Sequence, residues 1–169
     1  AGIGQVQTDP KTGRYLQVNK RFCEMVGYSA DELLTMTYLD LTHPEDRAAG
    51  QAFLLDLLRG KTNKTTTDKR YIRRDGSILW CLVTSTLIRD AHRHPLRTVA
   101  MIEDVTERRQ SEALAQCQKR AFEMVAQGAS LAEVLDFVIL AVEKQATVDL
   151  QGFVLLLDED GKNVSLCAG

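Results

Sequence analysis

The sequence predicts an α+β fold in which an antiparallel sheet carries helices on one face. Three observations support this prediction. Two short strand-like segments open the chain, short helical segments follow them, and three longer alternating segments come next. Alternation of apolar and polar residues indicates strands, and helices gathered between two sets of strands are typical of the α+β class.

The first strands and the first helix are bounded by local signals. Residues 3–8 and 14–18 are strand-like, and a turn containing Asp, Pro and Gly joins them into a hairpin. A helix is predicted to begin at Asn19 and to end at Gly27, because glycine commonly follows a helix. One face of this helix is apolar and carries Phe22, Met25 and Val26.

Two further short helices are expected before the longer strands. Ser29 with Glu32 has the spacing of a capping box, in which each side chain bonds the other's backbone. Residues 43–46 (HPED) open the second helix, with proline in the first turn and acids at the positive end of the helix dipole. We expect this helix to end at Gly60. Its predicted apolar stripe is Ala52, Leu55 and Leu58.

Three strands complete the predicted sheet, over residues 65–74, 77–89 and 96–103. Asp75-Gly76 is a hairpin turn signal between the first two. A polar helix follows over residues 106–127, opened by a second capping box of Asp104 and Glu107. Ser130 with Glu133 caps another helix. The chain then shows a strand at 152–157, a turn at 158–161 and a strand from 164.

Composition excludes several functions. The net charge is −2, and 21 basic residues are interspersed with 23 acidic ones, which argues against nucleic-acid binding. No apolar run approaches the roughly 20 residues of a membrane span, and four separated cysteines form no zinc motif. Nucleophile, metalloprotease and phosphate-loop motifs are absent. We therefore expect no catalysis and no metal site. Strand patterns reach both ends, so we expect a piece of a longer protein.

The motifs resemble a known family. Residues 18–33, 42–47, 69–80 and 101–112 read VNKRFCEMVGYSADEL, THPEDR, KRYIRRDGSILW and MIEDVTERRQSE. They resemble, in order, the segments of a PAS domain that ends in its D-[IV]-T-E-R signature. Residues 129–142 and 152–169 resemble the opening of a GAF domain. The implied organisation is a PAS domain at 1–104, a signalling helix at 105–128 and a truncated GAF segment at 129–169.

The PAS resemblance implies a five-stranded sheet and a role in signal sensing and relay. Relatives of this kind are cytoplasmic modules that pass signals to output domains in cis, commonly histidine kinases or cyclic-dinucleotide enzymes. A ligand-free dimerisation module and an enzyme of unrecognised kind remain as alternatives. Asp104, Thr106 and Glu107 would relay the signal from the last strand to the outgoing helix. No membrane or nucleic-acid contact is expected.

The resemblance also suggests which sheet face lines a ligand pocket. Strand alternation puts Cys81 and Trp80 on opposite faces, and the family's arrangement turns the Cys81 face inward. An unknown small ligand or an ordinary core could fill that space. The candidate pocket residues are Phe22, Met25, Tyr71, Cys81, Val83, Ser85, Ala100 and Ile102. No haem is expected, because His43, His92 and His94 lie in turns, and no flavin motif is present.

The outer sheet face and the outgoing helix predict a homodimer. Trp80, Leu82 and Met101 form an apolar surface that a helix or a partner must cover. The helix has a narrow apolar stripe of Leu114, Cys117, Ala121 and Val125, and such a stripe on a polar helix indicates a seam with another helix. Packing of the helix on its own sheet is the alternative.

Overall fold

The computed structural model describes residues 2–145, 153–157 and 164–168 of the 169-residue chain. The chain divides into two compact units, Ala1–Glu107 and Arg108–Gly169. The elements of the N-terminal unit are β1 (Gly4–Thr8), β2 (Tyr15–Val18), α1 (Lys20–Val26), α2 (Ala30–Thr35), α3 (Tyr38–Leu41), α4 (Pro44–Leu58), β3 (Lys64–Ile72), β4 (Ile78–Arg89) and β5 (Pro95–Asp104).

The five strands form one antiparallel sheet in the order β2-β1-β5-β4-β3. The last strand in sequence is therefore the central one. It pairs with β1 over the whole of that strand, from Gly4 opposite Ile102 to Thr8 opposite Thr98. On its other side β5 pairs with β4, where Val83 lies opposite Ile102. The predicted number and direction of strands are confirmed.

The predicted helix boundaries follow from the caps. Asn19 Oδ1 accepts from the N–H groups of Phe22 and Gln5, at 2.9 Å each, so one side chain caps α1 and binds β1. Gly27 ends α1 with φ of 79°, a conformation that glycine adopts without steric cost. Ser29 and Glu32 form the complete capping box that the sequence predicts for α2.

The core lies between the inner sheet face and helices α1 to α3. Phe22 and Val26 of α1 are fully buried, as predicted, and Leu33 of α2 is buried with them. On the sheet side Leu79 and Ile102 are fully buried. Burial of such a side chain stabilises the fold by about 1.5–3 kcal/mol, so this cluster accounts for much of the unit's stability.

Two predictions about the helices are wrong in detail. The stripe on α4 is not Ala52, Leu55 and Leu58: Leu57 is the buried residue, while Leu55 is 47% exposed. Packing of α4 against β3 and β4 fixes its rotation, and the local sequence, with apolar residues on several sides, does not. The sequence analysis also misses α3, because a helix of one turn is too short to show a period.

The C-terminal unit contains α5 (Thr106–Ala126), which begins in the N-terminal unit, α6 (Leu131–Gln145), β6 (Val154–Leu157) and β7 (Val164–Ala168). The two strands pair antiparallel. Ser130 and Glu133 cap α6 as predicted, with reciprocal hydrogen bonds of 2.7 and 3.3 Å. The predicted turn at 158–161 lies outside the described residues, as does the side chain of Cys167.

Candidate functional site

A cavity of about 70 Å³ lies between the inner face of the sheet and helices α3 and α4. Four of the predicted pocket residues line it: Tyr71, Val83, Ser85 and Ala100. Phe53 of α4 also lines the cavity and is 42% exposed. A water needs roughly 10–15 Å³ of such space, so the cavity has room for on the order of five waters or a similarly small molecule.

The other four predicted pocket residues belong to the packed core beside the cavity and do not line it. These residues are Phe22, Met25, Cys81 and Ile102. The ring of Phe22 packs between those of Tyr15 and Tyr71, with centroid distances of 5.7 and 6.2 Å. The aromatic cluster therefore fills one end of the space between helices and sheet, and the cavity occupies the other.

Lys69 lines this cavity, and the sequence analysis did not predict it. Its side chain is largely buried, with 8% relative exposure for the residue. Nζ lies 4.6 Å from the ring centroid of Tyr38 and 5.4 Å from that of Tyr71. Burial lowers the pKa of Lys69 to about 8. The alternation of β3, which puts Lys69 on the same face as Tyr71, was the signal that could have identified it.

Asp46 is the acidic residue whose charge acts most on Lys69, and it is already bound to Arg70. The Asp46 carboxylate accepts from the backbone N–H of Arg70 at 2.8 Å and from its guanidinium at 2.6 and 3.1 Å. These bonds hold the pKa of Asp46 below its usual value. Arg70 also binds Glu45 at 2.8 Å. Within the described part of the chain, the ammonium group of Lys69 makes no ion pair and no hydrogen bond, and it lies over the rings of Tyr38 and Tyr71.

Two hydroxyl groups that border the cavity are also without partners. Tyr15 Oη and Thr98 Oγ1 are buried and make no hydrogen bond to any described residue. Both residues line the cavity. Buried polar groups in folded proteins nearly always have a hydrogen-bond partner, so a water or a ligand group is expected beside each of them. Thr98 shares a face with Ala100, and its placement follows from the predicted alternation.

The described residues that line the cavity include no histidine that could ligate a haem or a metal. Nor is a group of three or more metal-ligating side chains present among the described residues. His43 precedes α4 as its N-cap residue. Burial raises the pKa of the Cys81 thiol to about 12, so this cysteine is a neutral core residue. Cys23 lies partly buried on α1.

The junction of β5 and α5 is tied to two other parts of the unit. Asp104 Oδ1 accepts from the N–H of Thr106, two residues further on, at 2.9 Å. The predicted capping box is wrong, because among the described residues no hydrogen bond joins Asp104 and Glu107. Thr106 Oγ1 accepts from the N–H of Trp80 at 3.1 Å. Val105, between them, is buried and donates its N–H to Trp80 O at 2.9 Å.

Arg73, which the sequence analysis did not single out, joins this junction to α1. Its Nε donates to the carbonyl of Met25 at 2.9 Å, at the end of α1. Its Nη2 lies 3.5 Å from Asp104 Oδ2. A third bond, from Nη1 to Ser77 Oγ at 3.3 Å, holds the guanidinium in the β3–β4 hairpin. One side chain therefore contacts the helix layer, the hairpin and the end of the central strand.

The sequence profile of the PAS-fold family matches residues 15–102, which span α1 to α4 and all but the first of the five strands. The chain belongs to the PAS-fold family. The predicted PAS unit and its α+β sheet are thereby confirmed. The profile does not extend into residues 129–169, and the GAF interpretation of that segment stays a prediction.

Similar proteins place PAS units of this kind in sensor proteins. Over 115 residues the chain is 36% identical to a probable diguanylate cyclase of Escherichia coli (strain K12), covering 68% of this chain and 10% of that protein. Over 139 residues it is 26% identical to a sensor histidine kinase of Ectopseudomonas mendocina, covering 82% and 14% respectively. The chain therefore spans a seventh or less of these relatives.

A solved structure gives the same result for the fold. The sensory box histidine kinase/response regulator structure from Burkholderia thailandensis E264 is similar with a TM-score of 0.57 and 26% identity, over 72% of this chain and 90% of that one. No helix among the described residues is both long and apolar enough to cross a membrane.

The residues predicted to dock a partner lie outside the PAS core. On the outer face of the PAS sheet, Trp80 and Leu82 are half-buried and Met101 is 50% exposed. On α5, Leu114 and Val125 are 57% and 60% exposed. Cys117 and Ala121 are half-buried. Phe122 of the same helix, which the predicted stripe omits, is the most exposed of these at 75%.

Proposed function

We propose that this chain is a signal sensing and relay module of a multidomain regulator in the cytoplasm. The PAS unit would receive the signal, and α5 would carry it to an output domain in cis, of the histidine kinase or cyclic-dinucleotide enzyme type. The relatives named above support this, because proteins of both types contain a similar stretch. The module itself would have no catalytic activity, and residues 129–169 would begin a GAF domain.

The observation that carries the proposal is the set of bonds at the β5–α5 junction. Asp104 is the last residue of the central strand and binds the first residue of α5. Through Arg73 the same carboxylate is linked to the end of α1, which packs on the sheet. A change in the spacing of helices and sheet would therefore alter the bonds that hold the start of α5.

The first prediction concerns Asp104→Asn. This change keeps the oxygen that accepts from the N–H of Thr106 but removes the charge that pairs with Arg73. An ion pair of this kind is worth about 0.2–1 kcal/mol. We expect amide hydrogen exchange in the first turn of α5 to become up to about fivefold faster, and regulation of output in the full-length protein to change.

Asp90→Asn is the matched control for this experiment. Asp90 lies at the opposite end of the β4–β5 hairpin and also accepts from backbone N–H groups, those of His92 and His94, at 2.9 and 2.8 Å. It should loosen only its own turn and leave both α5 and output regulation unchanged. Equal effects of the two variants on output, or no effect of Asp104→Asn, would contradict the relay role.

We also propose that the chain forms a homodimer through α5, with the outer sheet face as a second contact. The exposed apolar side chains of α5 support this, since a helix of this length with few apolar groups is marginal in water without a partner. The same exposure favours the second candidate function, a ligand-free dimerisation module. The unit would bind neither haem nor flavin: no histidine among the described residues lines the cavity as a haem ligand, and a volume of about 70 Å³ is too small for either group.

The second prediction is that Leu114→Asp dissociates the dimer. An aspartate within a helix seam buries a charge without a partner, which is strongly unfavourable. Sedimentation at micromolar concentration should show a dimer for the unchanged chain and a monomer for the variant. Gln116→Asp introduces the same charge on the opposite side of the helix and should leave the dimer intact. A monomeric unchanged chain would refute the proposal.

A further inference from the structure

We propose that the cavity of the PAS unit binds a small carboxylate, an acid with one carboxylate group and a compact apolar body, with Lys69 as its counter-ion. The inference deepens the sensing function proposed above and rests on it, because the acid would be the stimulus. It is carried by an unpaired buried charge, by two hydroxyl groups without partners and by the size and walls of the cavity.

The charge of Lys69 needs a counter-ion that the described residues do not supply. The residue is 8% exposed, and its ammonium group lies over the rings of Tyr38 and Tyr71, which carry no charge. Asp46 is bound by the backbone and the guanidinium of Arg70. Buried charges in proteins are normally paired, since an unpaired one is costly. An anion in the cavity would remove that cost.

The helix beside Lys69 leaves space for its ammonium group. Gly50 lies within α4 and lines the cavity, and a Cβ atom built on it would be 3.3 Å from Lys69 Nζ. A glycine inside a helix lowers stability by roughly 0.5–1 kcal/mol relative to alanine. The close approach gives this glycine a local reason: a methyl group here would press on the ammonium group, which would have to shift by a few tenths of an ångström.

The two unpaired hydroxyl groups match the same ligand. Tyr15 and Thr98 line the cavity and each carries one hydroxyl donor without a partner among the described residues, and Lys69 can donate up to three hydrogen bonds. A carboxylate accepts about four hydrogen bonds and donates none, so it can satisfy all three groups together. Water would satisfy the hydroxyl groups but would leave the charge of Lys69 without a counter-ion.

The cavity walls define the rest of the molecule. Away from Lys69 they are mixed: Leu54, Leu57, Val83 and Ala100 contribute apolar surface, and Thr8, Thr65, Thr67 and Ser85 contribute hydroxyl groups. The volume of about 70 Å³ admits a body of few atoms. A short aliphatic carboxylic acid meets both conditions, whereas a cavity that binds benzene has roughly twice this volume. A long fatty acid and a phosphorylated nucleotide are both too large for this volume.

The binding test uses the isotope-labelled 169-residue chain and three acids of increasing size, acetate, butyrate and benzoate, as sodium salts at pH 7. Butyramide serves as the neutral analogue of butyrate, and sodium chloride and sodium phosphate serve as inorganic anions at equal ionic strength. We expect at least one acid to produce saturable shifts in the amide signals of Lys69, Val83 and Ala100. We expect butyramide, chloride and phosphate to produce none that saturate.

Variants assign the binding to Lys69. Lys69→Met should weaken binding of the acid at least tenfold, whereas Lys64→Met, an exposed lysine of the same strand, should leave it unchanged. Thr98→Val removes one hydroxyl donor with little change in shape and should weaken binding several-fold. This second variant keeps the test decisive if Lys69→Met does not fold.

Three results would overturn the carboxylate site: saturation by none of the acids, equal saturation by butyramide or an inorganic anion, or unchanged binding in both Lys69→Met and Thr98→Val. The relay is judged separately from the amide signals of Trp80 and Thr106. Shifts confined to the cavity would leave the site standing and count against the proposed function, whereas shifts that reach Thr106 support both.

Discussion

Phe22→Ala is expected to lower the free energy of unfolding of the PAS unit by about 3–5 kcal/mol, the cost of removing a fully buried aromatic ring. Phe22 has no exposed surface and packs between the rings of Tyr15 and Tyr71. The ring of Phe22 also packs tightly against β1, because a Cβ atom built on Gly4 would be 3.1 Å from that ring. Urea unfolding followed by the fluorescence of Trp80, the single tryptophan, measures the change.

Phe122→Ala is the matched control. Phe122 is 75% exposed on α5, in the part of that helix that belongs to the C-terminal unit, so its removal leaves the PAS core intact. We expect a change within about 0.5 kcal/mol, as for most surface substitutions. If Phe22→Ala cost less than about 1 kcal/mol, Phe22 would be a cavity residue after all, and the core described here would be wrong.

Lys69→Met is expected to stabilise the ligand-free PAS unit by up to about 3 kcal/mol at pH 7. The pKa of Lys69 falls from 10.5 to about 8 on folding, chiefly through burial, and each unit of such a shift corresponds to about 1.4 kcal/mol. Methionine fills similar space without a charge. Stability gained by removing a ligand-binding group is a known trade-off, so the variant should be more stable and unable to bind the acid.

The pH dependence has a definite sign. Below about pH 8 Lys69 is charged in both the folded and the unfolded chain, and the full cost of burying the charge is present. Between pH 8 and 10.5 the folded chain loses its proton first, so the unfolded chain binds more protons and stability rises with pH. Other groups facing Lys69 are Asp46, already bound to Arg70, and Tyr38, Tyr71 and Cys81, whose pKa values burial raises.

The measurement is urea unfolding at pH 7 and pH 9.5 for the unchanged chain, Lys69→Met and Lys64→Met. Lys69→Met should abolish most of the difference in stability that the unchanged chain shows between the two pH values. Lys64→Met, on the exposed part of β3, should preserve it. A destabilised Lys69→Met protein would mean that the ammonium group has a partner in the folded chain, and the carboxylate proposal would lose its main support.

The sheet could be predicted from the sequence because its signals are local and periodic. Alternation in β4 places Cys81 and Val83 inward and Trp80 and Leu82 outward, and burial in the structure follows that pattern. The caps at Asn19 and Ser29 are likewise set by residues within three positions of the helix start. Such short-range rules need no knowledge of the tertiary structure.

The cavity could be predicted only in part, because its boundary depends on tertiary packing. Alternation identifies Val83 and Cys81 as inward residues, but only the position of α4 decides that Val83 meets the cavity. The rotation of α4 in turn depends on its contact with β3. Lys69 was missed for a chemical reason: a lysine is expected on the outer face, and its burial is explained only by the aromatic rings and the glycine around it.

The strand order has a consequence for how the PAS unit is made. The central strand, β5, is the last of the five to be synthesised. The edge of β1 that pairs with β5 stays unpaired until roughly ninety further residues have been made. Until then β1 can pair only with β2 and β3 only with β4, and the edges of β1 and β4 that face β5 stay unpaired. Contacts so distant in sequence slow folding. The unit can therefore close only after Asp104 is available, so completion of the sheet and the start of α5 coincide during synthesis.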